Sequence, residues 1–150
     1  MKAVVQRVSR ASVKVENRIV GEIENGFLVL LGVVEGDSEA EMKTLAKKIY
    51  EMRIFKDEND KMNLSLENVG GSVLVVSQFT LCADLSHGRR PSYFASAKPD
   101  VANVIYERFC EELKYLGVKN VQKGIFGARM EVELVNDGPV TIIVDTDALK

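Results

Sequence analysis

The sequence predicts an α/β fold of the α+β kind, with mainly antiparallel strands and two amphipathic helices in one domain spanning residues 1–150. Three observations carry this prediction. Apolar, β-branched segments come in runs at both ends of the chain instead of alternating strictly with helices. Two stretches, near residues 38–52 and 99–116, repeat apolar residues at helical spacing. Between them, Val73-Leu74-Val75-Val76 is an unbroken apolar run of the kind found in strands buried on both faces.

Taken in order, residues 2–9 and 11–16 read as short strands with Val4, Val8, Val13 and Val15 as core candidates. Glu16-Asn17-Arg18 suits a tight connection. Ile19–Ile23 and Phe27–Val34 follow, and Asn25-Gly26 between two apolar runs is a strong hairpin signal. At Ser38 the period changes. Ser38 and Glu41 fit a capping box, in which the hydroxyl takes an orphan N–H and the carboxylate reaches back. Met42, Leu45, Ala46, Ile49 and Met52 then mark an amphipathic helix. Residues 56–72 are polar, with Met62 and Leu64 hinting at a short strand. A strand is predicted over 73–81, and its end carries Ser77, Gln78 and Thr80. The loop over 83–92 is built of turn formers and basic residues, a kind of connection that is usually functional or mobile. Pro99 suits a first helical position, and Val101, Val104, Ile105, Phe109, Leu113 and Leu116 form the expected buried face before Gly117 stops the helix. Val118–Ile125, Ala128–Val135 and Val140–Val144 read as three closing strands, the last two joined by a turn at Asn136-Asp137-Gly138-Pro139.

The net charge of −2 gives no global field that would draw the chain to nucleic acid. Charge is nonetheless uneven. Arg89, Arg90 and Lys98 lie in a stretch with no acidic residue between Leu85 and Pro99, either a solvated face or a basic edge for phosphates. Cys82 and Cys110 fit neither a metal nor a secreted-scaffold pattern and read as small buried hydrophobes in a reducing compartment. The amino terminus lacks a signal-peptide core, and no segment approaches the roughly 20 apolar residues that cross a bilayer. A soluble, cytoplasmic protein with no membrane partner is expected.

Elimination narrows the chemistry. The single histidine, His87, would have to serve any Ser-His-Asp arrangement, with Ser77 or Thr80 as nucleophile, and no Gly-x-Ser-x-Gly elbow is present. One His and two scattered Cys do not make the usual zinc sets, and no Walker or dinucleotide loop occurs. Neither a metal nor a cofactor is expected. Two unusual stretches remain, Ser77-Gln78-Phe79-Thr80-Leu81 and Asn136-Asp137-Gly138-Pro139-Val140-Thr141. Strand geometry puts Ser77 and Phe79 on one face and Gln78 and Thr80 on the other. The N–H groups of Gln78 and Phe79, at a strand end, are candidate oxyanion donors, each worth roughly 2.7–4 kcal/mol where such donors have been tested. The plainer alternative is that these side chains satisfy nearby backbone. Gly138-Pro139 likewise reads as an ordinary turn, and sequence alone does not choose between its cis and trans forms.

Together these two stretches resemble the signature pair of the D-aminoacyl-tRNA deacylases. The flanks resemble that family too: Met1–Val8 with Arg7, and Gly124-x-Phe126-Gly127-Ala128-x-Met130. The resemblance implies the barrel-like deacylase fold and a homodimer with active sites at the subunit interface. It implies that Gly138-Pro139, in cis, reaches into the partner's pocket. There its carbonyl oxygens would hold the α-amino group of a D-aminoacyl or glycyl ester and leave no room for an L side chain, with Arg7 supporting the motif. Ser77, Gln78, Phe79 and Thr80 would surround the ester and the 3′-terminal adenosine of the aminoacylated tRNA. Phe126, Ala128 and Met130 would line the adenine side. The family has been read with Thr80 as nucleophile or with the terminal 2′-hydroxyl assisting hydrolysis. The lack of a side-chain base favours the second.

Two other classes stay in view. One is a small-molecule esterase pairing Thr80 or Ser77 with His87. The other is a non-catalytic nucleic-acid-binding dimer that uses the basic loop.

Overall fold

A computed structural model describes residues 1–150. Its first strand, β1 (Lys2–Val15), is continuous where two strands are predicted. Its pleat changes phase midway: Ala3 and Val5 face the larger apolar cluster and Val8 the smaller one, yet Ala11 and Val13, an odd number of residues beyond Val8, face the smaller one too. The register against the last strand shifts on both sides of Val8; Val4 and Val15 sit only half-buried, while Arg7 shares the core-facing side of Ala3 and Val5.

The hairpin lies at Glu16-Asn17, both with positive φ as a two-residue primed turn requires. From there β2 (Arg18–Ile23) and β3 (Gly26–Gly32) run back along β1, pairing with its second and first halves respectively. Asn25-Gly26 is therefore a break between two collinear strands, not a hairpin. Its glycine has another cause: a Cβ on Gly26 would lie 1.8 Å from the Ser72 carbonyl oxygen, where the next strand begins.

Helix α1 (Glu39–Glu51) starts with the predicted capping box, the Ser38 N–H donating to Glu41 Oε2 at 2.7 Å. The polar segment after it contains a small hairpin, β4 (Phe55–Lys56) with β5 (Met62–Leu64), and a short helix, α2 (Leu66–Val69). Strand β6 (Ser72–Ser77) then lies parallel to β3. Val73 and Val75 pack against the helices, while Leu74 and Val76 enter a second cluster on the opposite face. Both faces are buried, as the apolar run predicts, and each such side chain contributes about 1.5–3 kcal/mol. The strand ends at Ser77 rather than 81, and Phe79–Cys82 form a single 3₁₀ turn.

Helix α3 (Pro99–Leu116) crosses back to β7 (Val121–Lys123), shorter than predicted and parallel to β6. The buried face of α3 is Ala102, Ile105, Tyr106, Phe109, Cys110 and Leu113, while Val101 and Val104 point outward. The predicted stripe is rotated because Tyr106 and Cys110, not the valines, complete the i, i+4 row. Both cysteines are buried and unpaired, and burial pushes the Cys110 thiol up to about 12.

The last strand, β8 (Glu131–Asp145), merges two predicted strands and pairs antiparallel with nearly all of β1. Asn136–Pro139 is thus not a turn between paired neighbours, since the segments on either side of it both pair with β1. The sheet is antiparallel around β1 and parallel along β3, β6 and β7. It curls until β2 approaches β7, where a Cβ on Gly21 would lie 2.8 Å from the Lys123 carbonyl oxygen. A nearly closed barrel results, with α1 and α3 covering one face. No helix is long and apolar enough to cross a membrane.

Candidate active site

The parallel strands set the location. In such sheets, ligands bind beyond the carboxyl ends of the strands, where the following loops diverge. Here β6 runs out into Phe79 and β7 into Phe126-Gly127, and the segment leading into α3 closes the space. The cavity has a volume of about 480 Å³. Ser77, Phe79 and Phe126 form part of its wall, with Tyr93, Ser96 and Lys98 opposite. The rings of Phe79 and Tyr93 meet edge to face, with centroids 5.0 Å apart.

Local bonding explains how the polar stretch is held. The Gln78 N–H donates to the Leu31 carbonyl at 2.7 Å, so it is not a free oxyanion donor. With Gln78 leaving the strand at φ −143° and ψ 78° and Phe79–Cys82 in a 3₁₀ turn, the alternating faces expected for a strand do not occur. The Gln78 side-chain amide donates to Thr80 Oγ1 at 2.6 Å. The first N–H groups of a helical turn have no carbonyl within that turn to bond, which leaves those of Phe79 and Thr80 as the local donors. Ser77 lies half-buried in the cavity wall.

Beneath the cavity, the buried Tyr106 hydroxyl lies 3.0 Å from the Val75 carbonyl and 3.3 Å from that of Gly124. Burial pushes the pKa of this phenol well up. The hydroxyl ties the end of β6 to the segment carrying Phe126, whose ring lies 6.0 Å from that of Tyr106. Tyr106→Phe is expected to cost about 0.5–1.5 kcal/mol in a urea melt. An unchanged midpoint would show that the tie contributes nothing.

The second unusual stretch is a bulge. Gln6 pairs with Thr141 and Val8 with Asn136, so Asp137–Val140 loop out of the β1–β8 ladder. The Asn136 amide donates to the carbonyls of Arg7 and Val140, each at 3.0 Å, and so pins both ends of the loop. Arg7 is 2 % exposed; its Nε donates to the Asp137 carbonyl at 3.2 Å and its Nη1 to the Ile54 carbonyl at 2.6 Å. Its Nε also lies 3.3 Å from the Asp137 carboxylate. The Gly138-Pro139 bond is cis, and both residues are exposed.

Comparison with known proteins places the chain. A family profile described as D-Tyr-tRNA(Tyr) deacylase matches residues 4–145. The chain belongs to this family. A D-aminoacyl-tRNA deacylase of Koribacter versatilis (strain Ellin345) is 57% identical over 146 residues, 97% of each chain. One from Thermosipho africanus (strain TCF52B) is 56% identical over the same proportion of both. Among solved structures, one titled c-Myc DNA Unwinding Element Binding Protein superposes with a TM-score of 0.91 at 38% identity, covering 97% of this chain and 98% of that one. A probable eukaryotic D-amino acid tRNA deacylase shares the fold, with a TM-score of 0.81 at 20% identity over 95% of this chain and 97% of that one.

Within this member of the deacylase family, Ser77, Phe79 and Phe126 meet at one cavity, with Gln78 and Thr80 on the adjoining turn. Ala128 lines a separate groove with Lys14 and Asn17, and Met130 packs against the second apolar cluster. Arg7, Gly138 and Pro139 form their own group, and no residue of the bulge lines the cavity of its own chain. His87 is not in the cavity wall; its Nδ1 lies 2.8 Å from Ser86 Oγ. Sequence reasoning did not select Tyr93, Ser96 or Lys98 for the pocket, nor Asn136 and Asp137 as braces. The available sign is Tyr93 in Arg90-Pro91-Ser92-Tyr93, an aromatic set between a polar loop and the helix start at Pro99.

Proposed function

We propose that the protein hydrolyses the ester of D-aminoacyl-tRNA, and of mischarged glycyl-tRNA, to free amino acid and tRNA. The observation carrying this reading is a cavity walled by Ser77, Phe79 and Phe126 in a chain more than half identical to named D-aminoacyl-tRNA deacylases. Cleavage of a finished but wrong product is editing, which serves where initial binding cannot discriminate enough.

The chemistry follows from what surrounds the ester. No carboxylate or imidazole lines the cavity, and Thr80 Oγ1 accepts from an amide that cannot take its proton. The 2′-hydroxyl of the terminal ribose therefore assists a water molecule attacking the ester carbonyl. The N–H groups of Phe79 and Thr80 donate to the tetrahedral oxyanion. Its collapse expels the ribose oxygen, which leaves with the proton shed by the water. No metal enters this scheme, and the chain holds no cluster of three or more His, Cys, Asp or Glu side chains suited to one.

Chirality is assigned to Gly138-Pro139 of a second copy. The exposed bulge is absent from its own chain's cavity, which supports a homodimer in which each loop enters the other's site. Its carbonyl oxygens hold the substrate amino group and occupy the space an L side chain would need. The exposed Ile143 on β8 lies on the same edge of the sheet. The cytoplasm, where such a substrate is used in translation, is the compartment this reading assigns.

The test is release of D-tyrosine, glycine and L-tyrosine from their tRNA esters, with sedimentation to read the oligomeric state. Equal rates for both enantiomers would sink the chiral assignment, and a monomeric active form would sink the cross-subunit loop. Replacing the terminal 2′-hydroxyl by hydrogen is expected to slow cleavage by about 10²–10⁴-fold. Full activity on the deoxy substrate would falsify its role.

A further inference from the structure

We propose that the Asp84–Ser92 loop, with Arg89 and Arg90 near its tip and Phe94 beside it, is the docking surface for the RNA arm whose 3′ end enters the cavity. This rests on the deacylase reading and adds a partner surface to it.

The loop is built, not merely long. Asp84 and Ser92 exchange backbone hydrogen bonds of 2.8 and 2.9 Å, closing its base. The Asp84 carboxylate accepts from the Ser86 N–H at 2.9 Å, and bonding to Ser86 holds it below the usual carboxylate range. That carboxylate is engaged with the loop's own residues. Arg89 and Arg90 are exposed and take part in no ion pair, whereas Arg108, Lys114 and Lys123 each pair with a glutamate. A chain of net charge −2 needs such a local patch to hold a polyanion.

Position supplies the second argument. The loop leaves the 3₁₀ turn on one side of the cavity and returns through Tyr93, which meets Phe79 edge to face in the cavity wall. An RNA strand whose last nucleotide fills the cavity must leave it over some part of its rim, and this part carries two adjacent unpaired arginines, with unpaired Lys98 in the cavity wall. Phe94, next to Tyr93, is 95 % exposed, an aromatic face open to a base. Free cations with an adjacent open aromatic ring are the combination that tracks a single strand.

The test compares wild type with the Arg89→Ala/Arg90→Ala variant on D-aminoacyl-tRNA and on the D-aminoacyl ester of adenosine, which has no phosphate. On tRNA, kcat/KM at low salt is expected to fall about tenfold or more. Its log–log salt slope is expected to flatten by about 1.4, two single-strand contacts at about 0.7 each. Activity on the adenosine ester is expected to stay the same, and an Arg89→Lys/Arg90→Lys variant to keep most of the slope. Phe94→Ala is expected to weaken tRNA alone, with Phe94→Trp restoring it. An unchanged slope and KM, or equal losses on both substrates, overturns the proposal. Binding of uncharged tRNA is followed in parallel. If wild type cleaves neither ester, the deacylase reading fails, while loss of tRNA affinity in the double variant still supports the surface and unchanged affinity overturns it.

Discussion

Gly138→Ala is expected to lower kcat/KM for D-aminoacyl-tRNA by about 100-fold, the scale at which a displacement of about 1 Å disables a site. Gly138 has φ +126°, where an L side chain is strained. A Cβ there would lie 2.7 Å from Arg7 Nη2 and 2.9 Å from Val140 Cγ2. Neither neighbour yields easily. Arg7 is buried and bonded to the carbonyls of Ile54 and Asp137, and Val140 returns the chain to the ladder. The bulge must therefore shift, and the proposed chiral selector shifts with it. Steady-state kinetics on D- and L-esters, with a thermal melt as control, read the result. Near-wild-type kinetics in a folded variant would remove the bulge from the site.

Arg7→Ala is expected to cost about 3 kcal/mol, because it leaves two carbonyls without a charged donor. The ion pair itself adds little, since Asp137 is 50 % exposed and solvent screens it. For a chain this size the loss corresponds to a melting temperature lower by roughly 6–12 °C. Arg7→Lys is expected to recover less than half. A single ammonium lacks the planar fork that serves Ile54 and Asp137 in different directions. Full rescue by lysine would show that charge alone matters at this position. The two sites touch, so their effects are coupled, and Gly138→Ala is expected to cost less when residue 7 is already alanine.

Much of this arrangement was legible before any coordinates. Ser38 and Glu41 announced the start of α1, and the run Val73–Val76 announced a strand buried on both faces, because each rests on chemistry local to a few residues. Failures came where distant partners decide. Asn25-Gly26 carries hairpin chemistry, yet the glycine serves the close crossing of Ser72. Val4 looked like core and Arg7 did not, since only the distant carbonyls of Ile54 and Asp137 make a buried arginine tolerable on the face of Ala3 and Val5. Gly138-Pro139 looked like a turn because β1, with which the segments on both sides of it pair, lies at the far end of the chain. The candidate site was read as two stretches, whereas Tyr93 and Lys98 meet Ser77 and Phe79 at the cavity only through the crossover into α3.

Pairing of the opening strand with the closing one also sets a timetable. β1 ends at Val15 and β8 begins only at Glu131. At synthesis rates of about 5–20 residues per second, one edge of β1 waits on the order of ten seconds for its partner. During that interval its unpaired N–H and C=O groups can template a wrong strand, as any open edge can. Closing so long a loop also slows folding, because its entropy is lost before the pairing repays it. A nascent chain can therefore assemble β3, β6, α3 and β7, with the cavity between them, while the Gly138 bulge does not yet exist.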